Sequence, residues 1–368
     1  MNILVLTKCQ YTNKDLIDDQ YGRLWEIPLC LFKKGHSING ICLSYRQREK
    51  NNYTLIIDNK KIEWNSFNIT SLFKYIIHLK HQVKLNKPDI IWASSDCFHV
   101  ILGYLLGKIY KVPCVVDLYD NYEAFKLSKY TGIVPLYRLV VKHADAVSSV
   151  SVTLYNLVKT HYKAKGMLGV IENAVNTDVF YPRNKNAARE IFNLPKNAKI
   201  IGTAGALDEG RGIDNLYTAF DNLYKDIPDL YLVVAGTGDR DHPIFKHPNI
   251  RDLGVLPNKD VAVFLNSLDV AVICNKDSDF GRYCFPQKAH EILASKVPLV
   301  SAKVGAMKAL LKDNPECLYD PLNPLDLARK IAIQLKTPTN LELPVNTWAI
   351  QAEKLEMLME STIATFEQ

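Results

Sequence analysis

Lys288 and Glu291 stand three residues apart in Phe285–Val300, which reads FPQKAHEILASKVPLV. Pro286 suits the first turn of a helix, and we predict a helix over Lys288–Ala294, followed by a strand-like run. Both charges are therefore predicted on one face near the helix start. Free N–H groups there attract phosphate, and one carboxylate can accept from both hydroxyls of a ribose. Phosphate beside ribose indicates a nucleotide. A solvated lysine next to a capping carboxylate would explain the same residues without a ligand.

A second set of candidates lies in residues 201–220, IGTAGALDEGRGIDNLYTAF. A predicted strand runs into Gly205, and Arg211 with Gly212 precedes a predicted helix. Small residues let a ligand approach the backbone, and an arginine can hold a diphosphate through two hydrogen bonds. An ordinary glycine-rich turn would look the same in isolation. The interpretation as a diphosphate site is therefore supported mainly by its combination with Lys288 and Glu291.

Two further segments are candidates for a second substrate. Residues 115–125, VVDLYDNYEAF, place Asp117 and Asp120 after a buried strand, where a carboxylate can orient or deprotonate a sugar hydroxyl. Residues 170–182, VIENAVNTDVFYP, place Asn173 in a predicted turn. Helix capping in the first segment and a structural connector in the second are the alternatives.

All these candidates follow predicted strands in a chain that alternates strand and helix. Such alternation predicts parallel sheets with helices on both faces, and 368 residues are too many for one ordinary core. We therefore predict an α/β protein with two doubly wound domains facing a cleft, with ligands beyond the carboxyl ends of the strands. The junction is expected near residues 181–193, and a long final helix over residues 346–366.

Charge is unevenly distributed between the two halves. The chain carries 23 basic and 14 acidic residues up to Ala174, and 22 basic and 25 acidic residues after it. A basic first half indicates an anionic partner. Nucleic acid and a membrane surface are both candidates, although no known nucleic-acid motif is present.

The helix predicted over residues 71–85 is the clearest basic element of that half. Its predicted apolar stripe consists of Leu72, Ile76, Leu79 and Val83. Its other faces carry lysines at three positions, Lys74, Lys80 and Lys84. This pattern fits either a solvated surface helix or one that docks on anionic lipid.

Compartment and redox state follow from simple features. No apolar run reaches the roughly 18 residues of a membrane span, and the opening MNILVLTKCQ is typical of a first strand rather than a signal peptide. Eight scattered cysteines without a C-x-x-C pair favour buried thiols over a zinc site. We expect a cytoplasmic protein that can also associate peripherally with the inner face of the cell membrane.

Together these segments resemble the large family of retaining family 4, or group 1, glycosyltransferases with the GT-B fold. Matching segments cover essentially the whole chain in the family's order: FYP after a connector, GALDEGRG, AGTGD, LGVLP and FPQKAHEILASKVPLV. The resemblance implies two Rossmann-like domains, one for the acceptor (residues 1–178) and one for the nucleotide sugar (residues 179–345). It also implies that a final helix, residues 346–368, returns to the first domain.

The resemblance assigns roles to individual residues. Glu291 would hold the ribose and Arg211 the diphosphate. The implied donor-binding residues follow strands or begin helices of the second domain: Gly205, Arg211, Gly236, Val255, Lys288 and Glu291. The implied acceptor-binding residues are Arg23, Tyr119 and Asn173. The implied catalytic residues are Asp120, Arg211 and Lys288.

The implied reaction moves a sugar from a nucleotide-diphosphate donor to a hydroxyl of a glycan or lipid-linked acceptor, in bacterial surface polysaccharide synthesis. Arg211 and Lys288 would stabilise the leaving diphosphate, so no metal and no other cofactor is expected, and nucleic acid is not expected as a partner. Two positions depart from the family pattern, with Ala206 in place of an arginine and Tyr283 in place of a glutamate. Both departures concern how the donor sugar is held.

Two alternatives stay open at this point. Residues 239–241 and 277–279 both have the D-x-D spacing with which metal-dependent GT-A transferases bind their cation. A protein of the same fold that binds a nucleotide, a membrane or nucleic acid without catalysis would also fit the composition.

Overall fold

The computed structural model describes residues 1–11, 14–47, 51–57, 60–125 and 132–368. Its contacts divide the chain into two compact units. Unit 1 comprises Met1–Asn173 together with Trp348–Gln368, and unit 2 comprises Ala174–Thr347. Within the described ranges, no helix has both the length and the apolar character needed to cross a bilayer.

Each unit is built around its own sheet. In unit 1 the strands are β1 (Asn2–Lys8), β2 (Gln10–Tyr11), β3 (Lys14–Asp15), β4 (Ser37–Ser44), β5 (Asn52–Ile57), β6 (Lys60–Asn68), β7 (Ile90–Ser94), β8 (Cys114–Leu118), β9 (Ala146–Ser149) and β10 (Met167–Val170). In unit 2 they are β11 (Lys199–Leu207), β12 (Leu230–Gly238), β13 (Ile250–Asp252), β14 (Val270–Ile273), β15 (Leu299–Ala302) and β16 (Leu318–Tyr319).

Helices cover the sheets. They are α1 (Arg23–Lys33), α2 (Leu72–Asn86), α3 (Cys97–Tyr110), α4 (Ile133–His143), α5 (Val152–Thr160), α6 (Lys185–Ile191), α7 (Ile213–Tyr224), α8 (Asn258–Ser267), α9 (Lys288–Ala294), α10 (Gly305–Leu310), α11 (Pro324–Lys336) and α12 (Trp348–Phe366). Caps fix several starts: Asp96 accepts a hydrogen bond from the backbone of His99 at the start of α3, and Asn323 does the same for α11.

The topology of both sheets is doubly wound, which confirms the predicted α/β class. The order in unit 1 is β10-β9-β8-β7-β1-β4-β6-β5, with β5 antiparallel to β6 and the other neighbours parallel. The order in unit 2 is β13-β12-β11-β14-β15-β16. In each sheet, successive strands are added first on one side of a central strand and then on its other side. The central strand is β1 in unit 1 and β11 in unit 2. Doubly wound sheets bind ligands at such switch points.

Several boundaries differ from the sequence-based expectation. The segment predicted as the junction, residues 181–193, contains helix α6, whose first turn is capped by Asn184; the contacts instead divide the chain between Asn173 and Ala174. Helices α4 and α11 and the β5–β6 hairpin were not predicted. The side chains of β5 alternate between exposed and half-buried, although its sequence contains the apolar run Leu55–Ile57.

The buried stripe of α2 is also shifted. It consists of Tyr75, Leu79 and Val83, whereas Leu72 is 36% exposed. Leu72 lies at the helix start directly after a short 3-10 turn, Ile69–Ser71. The predicted stripe therefore began one turn too early.

Candidate functional site

The carboxyl ends of β11, β12 and β14, with the loops that follow, form what we call the unit 2 edge. Gly205 and Gly236 are opposite each other in the parallel pair β11–β12. Both have positive φ angles, 120° and 137°, and a Cβ on Gly236 would lie 1.7 Å from the carbonyl oxygen of Gly205. The backbone of Gly236 also donates to the carbonyl of Gly254 at 2.7 Å. This edge therefore presents bare backbone that only glycine permits.

Lys288 brings a cation to this bare backbone. It opens α9, and its Nζ donates to the carbonyl of Ala204 at 3.0 Å. A Cβ built on Gly205 would be 3.7 Å from the same Nζ. Burial lowers the pKa of Lys288, and the positive charge of Arg211 lowers that pKa further. Arg211 follows β11 and Lys288 contacts the carbonyl of Ala204 within β11, so both predicted diphosphate cations belong to the unit 2 edge.

Arg211 is oriented by its local turn. Its backbone N–H donates to Asp208 at the end of the 3-10 turn Glu209–Arg211. Its guanidinium carbon lies 3.8 Å from the ring centre of Phe280, which is a cation–π contact. Gly212 then starts α7 with a positive φ of 75°.

Glu291 lies one turn into α9 from Lys288. Its side chain is 5% exposed and accepts a hydrogen bond from Nε2 of Gln287 at 3.1 Å. Val255 follows β13 and is 59% exposed. The helix itself spans seven residues, and it begins two residues after Pro286, which was expected in the first helical turn.

The carboxyl ends of β1, β7 and β8 form the corresponding unit 1 edge. Tyr119 is 8% exposed and packs edge-on against Tyr11 at 5.2 Å and Tyr122 at 5.5 Å. Asn173 accepts a hydrogen bond from the Tyr11 hydroxyl at 3.4 Å. Tyr119 and Asn173 thus share Tyr11 as a neighbour.

Lys8 at the end of β1 is a residue that sequence reasoning missed. Its Nζ lies 5.8 Å from the ring centre of Tyr119. Burial lowers its pKa, and the nearby carboxylates of Asp96 and Asp120 only partly oppose that shift. The switch-point rule would have found Lys8, because it is the last residue of the central strand.

Arg23 is placed elsewhere than expected. Its guanidinium is fully buried and forms two hydrogen bonds with Asp117, at 3.0 and 2.6 Å, and a third with the carbonyl of Ile171 at 2.6 Å. Ser94 and Ser148 donate to the same carboxylate. A buried side chain with these partners cannot also bind an acceptor, so the predicted acceptor role of Arg23 is replaced by a structural one.

The two D-x-D segments have local partners. Asp277 pairs with Arg282 at 2.7 Å, and Asp239 accepts from the backbone of Asp241 at 2.9 Å. Over the part of the chain that the structure describes, no three His, Cys, Asp or Glu side chains are grouped as metal ligands.

Comparison with known families matches each half of the chain. Residues 184–347 match the model described as "Glycosyl transferases group 1". Residues 26–179 match the model described as "Glycosyltransferase Family 4".

Curated relatives are similar over parts of their length. A glycogen synthase of Clostridium novyi is 29% identical over 45% of this chain and 36% of its own length. A D-inositol 3-phosphate glycosyltransferase of Corynebacterium aurimucosum is 26% identical over 67% of this chain and 60% of its own. The chain thus spans between about a third and three fifths of the length of these relatives.

Solved structures are similar over the whole chain. Sucrose-phosphate synthase from Thermosynechococcus elongatus superposes with a TM-score of 0.74 at 16% identity, covering 100% of this chain and 98% of that one. Anabaena HepE in complex with UDP superposes with a TM-score of 0.67 at 15% identity, again covering 100% and 98%. At these identities the likeness establishes the fold.

Proposed function

Because the chain belongs to the group 1 glycosyltransferases with the GT-B fold, we propose that it transfers a sugar from a nucleotide-diphosphate donor to a hydroxyl, with retention of anomeric configuration. The observation that carries the proposal is the unit 2 edge. There the Lys288 ammonium lies against the glycine backbone of β11, and Arg211 lies in the turn that follows the same strand. Two cations beside open backbone suit a diphosphate.

The proposed chemistry follows from these charges. The bond between the anomeric carbon and the diphosphate oxygen breaks, and a bond to the acceptor oxygen forms on the same face of the sugar. The acceptor proton passes to the departing phosphate. Lys288 and Arg211 stabilise the charge that develops on the diphosphate, so we propose that no metal is required.

The remaining donor contacts are assigned by position. We propose that Glu291 accepts hydrogen bonds from the ribose hydroxyls, and that Gly205 and Gly236 admit the diphosphate. Val255, which is exposed after β13, would lie beside the base.

The acceptor is proposed to be a hydroxyl of a glycan or lipid-linked sugar in surface polysaccharide synthesis. Tyr119, Asp120 and Asn173 at the unit 1 edge are its proposed contacts, and Lys8 joins them. Tyrosine faces and carboxylates suit sugar rings and their hydroxyls. Relatives named for inositol phosphate and sucrose phosphate support small phosphorylated acceptors as a second class.

The metal-dependent GT-A alternative is wrong, because the chain has the two-sheet GT-B fold. A non-catalytic nucleotide binder on this fold is the remaining alternative. The departures at Ala206 and Tyr283 motivate it, since both remove charged groups from the donor-sugar side.

Nucleotide binding tests the proposal directly. UDP and GDP should each be screened for an increase in the thermal unfolding midpoint. Glu291→Ala should abolish the increase while the midpoint without nucleotide changes little. Glu190→Ala, an exposed acid of unit 2, is the matched control and should keep the response. A large loss of apo stability in Glu291→Ala would assign the residue a structural role, and hydrolysis of nucleotide sugars then separates a transferase from a binder.

A further inference from the structure

Helix α2 carries large apolar and basic side chains on its outer side. Phe73 is 77% exposed and Ile77 is 51% exposed. Lys80 and Lys84 are exposed as well. The four positions recur every three or four residues, which aligns them along one helix face. We call these four residues the α2 stripe.

The sequence from the strand before α2 to the turn after it is basic, and it is bordered by the acids Glu63 and Asp89. Residues 64–88 contain four lysines, two histidines and no aspartate or glutamate. Leu85, also within this span, is 64% exposed. Large exposed apolar side chains among cations are typical of a surface that binds a partner. A partner that complements both the apolar and the basic side chains has anionic groups above an apolar layer.

We propose that the α2 stripe docks on an anionic lipid bilayer. Phe73 and Ile77 would enter the boundary between head groups and acyl chains, while Lys80 and Lys84 pair with lipid phosphates. The 15-residue helix would lie in the plane of the bilayer, because its opposite face is buried in unit 1 through Tyr75, as in interfacial amphipathic helices. Bilayer docking itself does not depend on the proposed function. Only its biological purpose does, which is to bring the enzyme to a lipid-linked acceptor.

Vesicle flotation of the full chain tests the idea without any donor or acceptor. Vesicles of phosphatidylcholine alone and of phosphatidylcholine mixed with phosphatidylglycerol are compared. We expect binding that needs the anionic lipid and weakens with added salt, because salt screens exposed charges. Lys80→Gln with Lys84→Gln should weaken binding about fivefold for each lysine removed.

A second variant separates the apolar contribution. Phe73→Ser with Ile77→Ser should reduce binding to mixed vesicles, and the loss should persist at high salt because it removes apolar burial rather than charge. The matched control is Leu322→Ser with Leu325→Ser, two exposed leucines of unit 2 at 86% and 58%, and it should bind like the unaltered chain. Both stripe variants should keep their nucleotide response, which shows that they fold.

Three results would overturn the proposal. The first is equal binding to neutral and mixed vesicles, and the second is unaltered vesicle binding by both stripe variants. The third is that the stripe substitutions leave vesicle binding unchanged but abolish self-association or binding to a homopolymeric RNA. The two hypotheses fail separately: vesicle binding without a nucleotide response removes the proposed transferase, and a nucleotide response without vesicle binding removes the docking surface.

Discussion

The unit 1 edge and the unit 2 edge share a topology, and each holds a buried lysine, but the neighbours of the two lysines differ. At unit 2 the central strand β11 ends in glycine backbone approached by Lys288. At unit 1 the central strand β1 ends in Lys8, which lies beside the ring of Tyr119 and near the carboxylates of Asp96 and Asp120. The sheet order provides a place for a ligand in each unit, and the side chains decide which ligand suits it.

The comparison also separates binding groups from structural ones. Arg23 and Asp117 belong to the unit 1 edge by sequence position, yet they satisfy each other in the interior. Among the described residues Lys288 has no carboxylate partner in an ion pair, and it donates to a neutral carbonyl. A cation held by a carbonyl keeps its full charge for an incoming anion, whereas a cation paired with a buried carboxylate does not.

The largest expected effect concerns the Arg23–Asp117 pair. Arg23→Met leaves the Asp117 carboxylate buried without its cation, and such a change costs about 3–5 kcal/mol of unfolding free energy. Urea unfolding followed by signals from unit 1 measures it. The control is Arg138→Met, which breaks the half-exposed pair with Glu123 and should cost less than about 1 kcal/mol.

A stable Arg23→Met protein with a raised KM for the acceptor would reverse the structural assignment. It would return Arg23 to the acceptor-binding group and make the two edges more alike than the structure indicates.

The next effect concerns Lys288 and pH. Lys288→Met should weaken nucleoside-diphosphate affinity about ten- to hundredfold, the range for hydrogen bonds to charged groups. Because the pKa of Lys288 lies below the ordinary 10.5, the lysine loses its proton early, and affinity should fall as pH rises towards 10.5. Lys288→Arg should remove this alkaline fall, because arginine stays charged.

Calorimetric titration with UDP or GDP across the alkaline range measures these affinities, and Lys308→Met on the exposed side of α10 is the control. Stability should show the opposite sign. Between the lowered folded pKa of Lys288 and 10.5 the unfolded chain binds more protons, so this group makes folding more favourable as pH rises. An alkaline fall that survives in Lys288→Arg would assign the titration to another group.

The smallest effect concerns Lys8. Lys8→Met should raise KM for the acceptor roughly tenfold and leave nucleotide affinity unchanged, because its neighbours are the proposed acceptor residues Tyr119 and Asp120. Initial rates at varied acceptor, with UDP or GDP affinity measured in parallel, separate the two parameters. Lys159→Met on α5 is the exposed control. A fall in nucleotide affinity would mean that the unit 1 edge also serves the donor.

Sequence patterns predicted secondary structure correctly where a single physical rule determines it. Helix α9 was predicted at Lys288–Ala294, as the structure has it, because an apolar run is bounded by a proline and a strand. The pairing of Gly205 with Gly236 was not predictable, since it depends on the register of two strands. Arg23 was misassigned because sequence position cannot tell an arginine that faces a ligand from one that neutralises a carboxylate 94 residues away.

The last helix has a consequence for the order of synthesis. Helix α12 packs in unit 1, where His36 bonds Glu356 at 2.6 Å and the backbone of Glu172 donates to Gln351 at 2.7 Å. Unit 2 is one uninterrupted stretch, whereas unit 1 is made of two stretches that lie on either side of it in the sequence. The fold of unit 1 is therefore complete only after α12 has been synthesised, which is after all of unit 2.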